Sequence, residues 1–106
     1  LKNKPTLPKL AVAITALGGW IVGGAADPTE QNPQDIDILI PFHLWSKVAP
    51  LIPSDARPNK FGGWRFMQAS VEYDVWPGDL ESMMQKSFFH HAWHPLTGAR
   101  WVQEKG

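Results

Sequence analysis

Six consecutive residues, Asp35-Ile36-Asp37-Ile38-Leu39-Ile40, constrain the fold more than any other stretch of the chain. Successive side chains of a β-strand point to opposite faces, so this run sends Asp35 and Asp37 one way and Ile36, Ile38 and Ile40 the other. Pro41 ends it. The isoleucine face must be buried against a second layer. The other face sets two carboxylates side by side near the head of an apolar strand. Like charges drawn toward a core cost free energy unless something positive binds there, or unless the strand begins at the surface and both aspartates are solvated.

The elements around this strand predict a mixed domain. Thr6 and Pro8 mark a helix start, Leu10, Ile14 and Leu17 recur at helical spacing, and Gly18-Gly19 stops the helix. Trp20-Ile21-Val22 is a short apolar strand closed by Gly23-Gly24, and the polar segment 27–34 is a loop. A short helix over 42–48 is expected to turn Phe42, Trp45 and Val48 inward, with Pro50 and Pro53 opening a loop that runs to Gly62. Residues 63–69 and 71–76 form two strands turning near Ser70, the second with Val71, Tyr73 and Val75 on one face and Glu72, Asp74 and Trp76 on the other. Asp79 caps a helix running to about His91, with Leu80, Met83, Met84, Ser87 and Phe88 inward. Pro95 to Gly98 is a turn before a last short strand, Arg100-Trp101-Val102. The predicted class is α/β in the α+β sense, a small mixed sheet with helices packed on it. Its 106 residues are expected to form a single domain over 1–106 with a core at about 6–91.

Composition narrows the function classes. A formal net charge of zero lacks the basic footprint of a protein that grips a long nucleic-acid duplex. A triphosphate or a short nucleic-acid end is still compatible, because metal ions can compensate charge. The chain has no cysteine, which removes disulfides and thiolate zinc sites and is compatible with the cytoplasmic location expected. No stretch approaches the roughly 20 apolar residues needed to cross a bilayer.

Nucleotidyl transfer needs hard oxygen ligands for divalent metal and a surface for a triphosphate. Asp35 and Asp37, two apart on a strand, suit a shared magnesium or manganese site, and Asp74 on a neighbouring strand would complete it, with Glu72 on the same face as the alternative. Glycines after a strand let phosphate oxygens approach backbone N–H groups, although Gly23-Gly24 alone is more simply an ordinary turn. The conjunction of apolar strand, Gly-Gly, polar loop and Asp-x-Asp in a hydrophobic strand is the informative feature.

That conjunction, Trp20-Ile-Val-Gly-Gly-Ala followed by Gln34-Asp-Ile-Asp-Ile-Leu-Ile, resembles the signature of the DNA polymerase β-like nucleotidyltransferase superfamily, and locally the head domains of its CCA-adding and poly(A) polymerase branch. The resemblance covers roughly residues 10–80 and is specific in 20–40. It implies a nucleotidyltransferase-like fold, Asp35, Asp37 and Asp74 as catalytic metal ligands for Mg2+ or Mn2+, and Gly23 and Gly24 lining a bound ATP or other nucleoside triphosphate. Where the CCA-adding branch carries an Arg-Asp pair, this chain has Ala25-Ala26-Asp27-Pro28, and it has no room for base-reading and tRNA-handling domains. The resemblance therefore implies a minimal stand-alone head moving a nucleoside monophosphate to a hydroxyl acceptor, whether small molecule, protein or nucleic-acid end. The competing expectation is a non-catalytic module of the same fold that binds nucleotide or serves a partner subunit. A metal-dependent nuclease is a third.

Weaker signals have plainer explanations. Lys47, Arg57, Lys60 and Arg65 fall between the acidic strands and are ordinarily solvated. Arg65 alone sits on a predicted strand of the same sheet and is a candidate for touching the nucleotide. His90 and His94 have the spacing of a helical zinc pair, without a third ligand nearby. Trp76 shares the Asp74 face, where it would stack on a base or fill the core. Gly18 to Gly23 has the glycine spacing of a phosphate loop, but no Gly-Lys-Ser/Thr follows.

Overall fold

The computed structural model describes residues 7–29, 35–86 and 88–103. Its chain order is α1 (Lys9–Thr15), β1 (Trp20–Val22), β2 (Asp35–Ile40), α2 (Trp45–Val48), β3 (Arg57–Pro58), β4 (Trp64–Gln68), β5 (Val71–Pro77), α3 (Leu80–Gln85), β6 (His91–Trp93) and β7 (Arg100–Val102). The strands form one seven-stranded sheet in the order β3-β4-β5-β2-β1-β6-β7. The mixed α+β class matches the expectation, and β2 and β5 are its parallel pair. No described helix is long and apolar enough to cross a membrane.

The period of β2 decides which face does what. Ile36, Ile38 and Ile40 join Ile21, Tyr73, Val75 and Phe66 in a core covered by Ala11 and Ile14 of α1 and Val48 of α2. On the opposite face Val22, Leu39, Trp76 and Ala92 pack with Met84 of α3, and Leu80, Met83, Phe61 and Phe89 close over them. That cover sits over Leu39 and Trp76, the C-terminal parts of the parallel pair. The N-terminal parts on the same face carry the carboxylates.

Several expectations are corrected. The helix expected to reach His91 ends at Gln85, and residues 91–93 form β6 against β1. Aromatic residues and histidine are weaker helix formers, and pairing with the open edge of β1 satisfies backbone groups that a helix would leave elsewhere. The sheet therefore continues past the expected core limit near residue 91. Phe42 is 69% exposed rather than inward, because 42–44 wind as a 3₁₀ turn before α2. Phe88 is exposed as well. Arg57-Pro58, expected as loop, pairs with the edge of β4. Thr6, Ser87 and the 30–34 part of the expected loop lie outside the described residues. The Asp79 cap is present, its carboxylate accepting the Ser82 N–H at 2.9 Å. Asp79→Ala is expected to lower stability by about 1 kcal/mol, measurable by denaturant unfolding.

Candidate functional site

The register of the parallel pair assembles the acidic cluster. Asp37 lies directly opposite Asp74, and Asp35 opposite Glu72. Paired residues share a face, so four carboxylates occupy one patch of the sheet. Their surroundings differ. Asp35 is exposed, Asp37 is half-buried, and Asp74 is buried at 7% exposure.

Asp74 is held by two partners. Arg65, its cross-strand neighbour on β4, donates from Nε at 3.2 Å to each carboxylate oxygen and from Nη2 at 3.0 Å to Oδ2. Asn59 donates from Nδ2 to Oδ1 at 3.1 Å. The Asn59 side chain also organises its own loop, where its Oδ1 accepts the N–H groups of Phe61 at 3.0 Å and Gly63 at 2.8 Å. The Asp74 carboxylate in turn pushes the Arg65 guanidinium above its ordinary pKa, first through the hydrogen bonds and then through its charge.

Asp37 has no such support. No hydrogen bond or ion pair reaches its carboxylate from the described residues. Burial first, and the Asp74 and Asp35 charges next, push its pKa up to about 6. A half-buried, like-charged and unpaired carboxylate is the arrangement in which a bound cation relieves the most strain. The donor chemistry of Asp35 and Asp37 fits a divalent ion, since magnesium commonly takes one or two carboxylates and completes its shell with water and phosphate oxygens. Among the described residues no three His, Cys, Asp or Glu side chains form a ready-made metal cluster. Asp74 is turned onto Arg65 and Asn59 instead.

The glycines stand next to Asp37. Val22 pairs with Asp37, and Gly23 follows with a φ of 75°, a left-handed conformation that favours glycine. A Cβ on Gly23 would lie 3.3 Å from Asp37 Oδ2 and 3.2 Å from Phe89 Cδ1, while one on Gly24 would meet nothing within 4 Å. Gly24 thus offers open backbone where Gly23 is covered. The 3₁₀ turn Gly23–Ala26 is secured by Arg100 of β7, whose Nη1 donates to the Ala26 carbonyl at 3.0 Å. Asp27 beyond it accepts the Thr29 amide and hydroxyl, which together hold its carboxyl below the usual range.

Two cavities meet at Asp37. One of about 400 Å³ is bounded by Gly23, Gly24, Asp27, His90 and His91, within the size range of ligand pockets. A smaller one of about 220 Å³ is bounded by Asp35, Glu72, Asp74, Lys60 and Arg65. Phe88 and Phe89 border both.

Other sequence candidates lie elsewhere. Trp76 is 1% exposed and stacks on Phe61 at 4.5 Å, so it fills the core and does not present itself to a base. His90 and His94 flank β6 and share no helix. His94 Nε2 lies 3.2 Å from the Gly18 carbonyl, and His91 faces Asp27 at 3.6 Å. Lys47 sits on α2, across the sheet from the carboxylates. Asn59, Phe89 and Arg100 are not legible as site residues in the sequence. For Asn59 the available signal is an Asx residue ahead of Gly62-Gly63, whereas nothing local points to the other two.

No protein-family model matches the chain, and no curated protein matches its sequence. A solved structure of a CCA-adding enzyme in complex with ATP is similar over 92% of this chain and 30% of its own, with a TM-score of 0.59 and 17% identity. The chain thus spans about a third of that enzyme's length. At this identity the likeness shows the fold, a nucleotidyltransferase-like one.

Proposed function

We propose that this chain is a metal-dependent nucleotidyltransferase domain that moves a nucleoside monophosphate from a triphosphate to a hydroxyl acceptor. The carrying observation is the unpaired, half-buried Asp37 carboxylate lying between Asp74 and the Gly23 turn. A structure this small tolerates such a charge only at a cost, and a cation removes the cost. ATP bound to the fold's similar structure is consistent with a nucleotide substrate here.

Asp35 and Asp37 would hold Mg2+ or Mn2+, with Asp74 reached once Arg65 yields part of its hold. The ion would supply charge compensation for the phosphates and for charge developing in transfer. The open backbone at Gly24 would receive the triphosphate. The acceptor oxygen bonds to the α-phosphorus while the bond from that phosphorus to the bridging oxygen breaks. Pyrophosphate leaves with the electron pair, and the hydroxyl proton passes to solvent. The protein's part is positioning and fixed electrostatics.

One observation favours a second reading, a nucleotide-binding module that needs a partner subunit: Asp74 is already fully engaged by Arg65 and Asn59. Melting with manganese and each nucleoside triphosphate tests both. Ligand at 100 times Kd adds about 2.7 kcal/mol, a rise of roughly 10–20 °C for this chain length, and the Asp35→Ala/Asp37→Ala variant should show none. A wild-type shift without turnover for any acceptor would favour the module. An equal shift in the variant would remove the carboxylates from the site.

A further inference from the structure

We infer that the flank of the carboxylates opposite the glycine turn is a phosphate-binding ledge, built from Arg57, Lys60 and Arg65, that selects an acceptor carrying a phosphate near its attacking hydroxyl. The inference rests on the proposed nucleotidyl transfer for the direction from which the acceptor arrives. It rests on the register of the sheet for the ledge itself.

Arg57 on β3 is the cross-strand partner of Arg65 on β4, Arg65 of Asp74 on β5, and Asp74 of Asp37 on β2. These residues form one row across one face, two cations followed by two carboxylates. Like charges directly opposite each other in a sheet destabilise it, and an anion held between them would relieve the repulsion. Only half of the row is internally compensated. Arg65 pairs with Asp74 at 3.0 Å while its side chain remains 52% exposed. Arg57 is exposed and has no ion-pair partner among the described residues. Lys60, exposed on the loop that Asn59 organises, borders the same cavity as Asp74, Asp37 and Arg65. In a chain with zero net charge, three of its ten basic residues fall in the segment 57–65 beside the acidic cluster.

The sheet order gives this placement its meaning. In β3-β4-β5-β2-β1, the carboxylates of β5 and β2 lie between the ledge on β3 and β4 and the glycine turn that follows β1. In-line transfer puts the leaving pyrophosphate and the attacking oxygen on opposite sides of the α-phosphorus. With the pyrophosphate end at the glycines, the acceptor comes over β5 and β4 and meets the arginines. Guanidinium groups bind phosphate oxygens in a two-pronged fashion, and Arg65 has solvent-facing donors to spare. The exposed ring of Phe88, 55% accessible at the edge of the same cavity, offers a face for a base or sugar next to that phosphate. Such an acceptor is either the end of a single strand of nucleic acid or a small sugar phosphate.

The test uses the whole chain, without metal, and a fluorescently labelled single-stranded 10-nucleotide RNA or DNA followed by anisotropy, with unlabelled ribose 5-phosphate as competitor. The variant is Arg57→Gln/Lys60→Gln, which spares the Arg65 grip on Asp74 and changes two exposed side chains. The wild type is expected to bind one or both phosphate compounds, and the variant at least tenfold more weakly. For an oligonucleotide, the salt slope should fall by about 0.7 for each phosphate that the variant no longer neutralises. Displacement by ribose 5-phosphate at concentrations matching its own binding assigns the ledge to small phosphates, and its failure to displace assigns it to a strand end. The manganese- and nucleotide-dependent melting shift should be equal in variant and wild type. Equal oligonucleotide and sugar-phosphate binding by variant and wild type, or none by the wild type, overturns the ledge. Absence of the melting shift in the wild type overturns the nucleotidyltransferase assignment instead, while the anisotropy still judges the ledge.

Discussion

Replacing Asp37 with asparagine is expected to stabilise the metal-free protein above pH 7 and to abolish its response to metal and nucleotide. Asparagine keeps the volume and removes the charge. The Asp37 pKa rises from 3.8 to about 6 on folding, so the folded chain holds this proton more tightly than the unfolded chain. The resulting stability is fully present below about pH 4 and is lost as pH rises through about 6. Above pH 7 the wild type carries the whole penalty. The gap between 3.8 and about 6 corresponds to about 3 kcal/mol for a fully shielded group, and solvent screening of a half-exposed one reduces that to about 1–2 kcal/mol. Melting temperatures in chelator at pH 8 should therefore be roughly 5–10 °C higher for Asp37→Asn, with no difference near pH 4. Turnover, if the wild type has it, should fall on the order of a thousandfold, because the metal's several kcal/mol of transition-state stabilisation goes with the ligand. A variant that melts lower than wild type at pH 8 would show Asp37 to be structural. Gain of stability with loss of binding is the mark of a residue kept for chemistry.

Gly63→Ala is expected to have the largest effect on folding. A Cβ there would clash with the Val75 carbonyl oxygen and the Trp76 Cα, both fixed backbone of β5, an interior strand paired on both sides. Neither can swing aside as a flexible side chain would. Overpacking against backbone costs about 3 kcal/mol, which lowers the melting temperature by roughly 10–20 °C for this chain length. The damage reaches the site, because Gly63 exchanges two hydrogen bonds with Asn59, its N–H to the side chain at 2.8 Å and its carbonyl to the Asn59 N–H at 3.0 Å. Asn59 is one of the two residues that hold Asp74. Gly62→Ala serves as the comparison, since nothing lies within 4 Å of its added Cβ and only its φ of 86° resists the change. Equal melting of Gly63→Ala and wild type would mean that β5 and the 59–63 loop do not pack as closely as described.

What the sequence reveals and what it hides divide along the range of the interactions. The alternation of Asp35 to Ile40 is local, and both faces of β2 follow from it. The same holds for β5, with Tyr73 and Val75 in one core and Trp76 in the other. That Asp74 meets Asp37 and not Asp35 depends on a parallel register between segments more than thirty residues apart, which no local pattern encodes. Leu80, Met83 and Met84 carry a helical stripe that, extended, predicts helix through residue 91. The strand that 91–93 pairs with, β1, lies far back in the chain and leaves no mark in 91–93 itself. Arg65 is visible as a basic residue on a strand of the sheet, but its hold on Asp74 needs the β4–β5 register. Hydrophobicity alone points Phe42 inward, although nothing compels a single exposed aromatic to be buried.

The most direct test of a metal-nucleotide site at these carboxylates is paramagnetic broadening of backbone amide signals by Mn2+ in the presence of a nucleoside triphosphate. The expected result is loss of the Gly23, Gly24, Asp37 and Asp74 signals at low manganese occupancy, with Thr97 in the turn between β6 and β7 broadened far less and all signals retained in Asp37→Asn. Broadening centred on Asp27 and His91, or spread evenly over the surface and unchanged in Asp37→Asn, would contradict it.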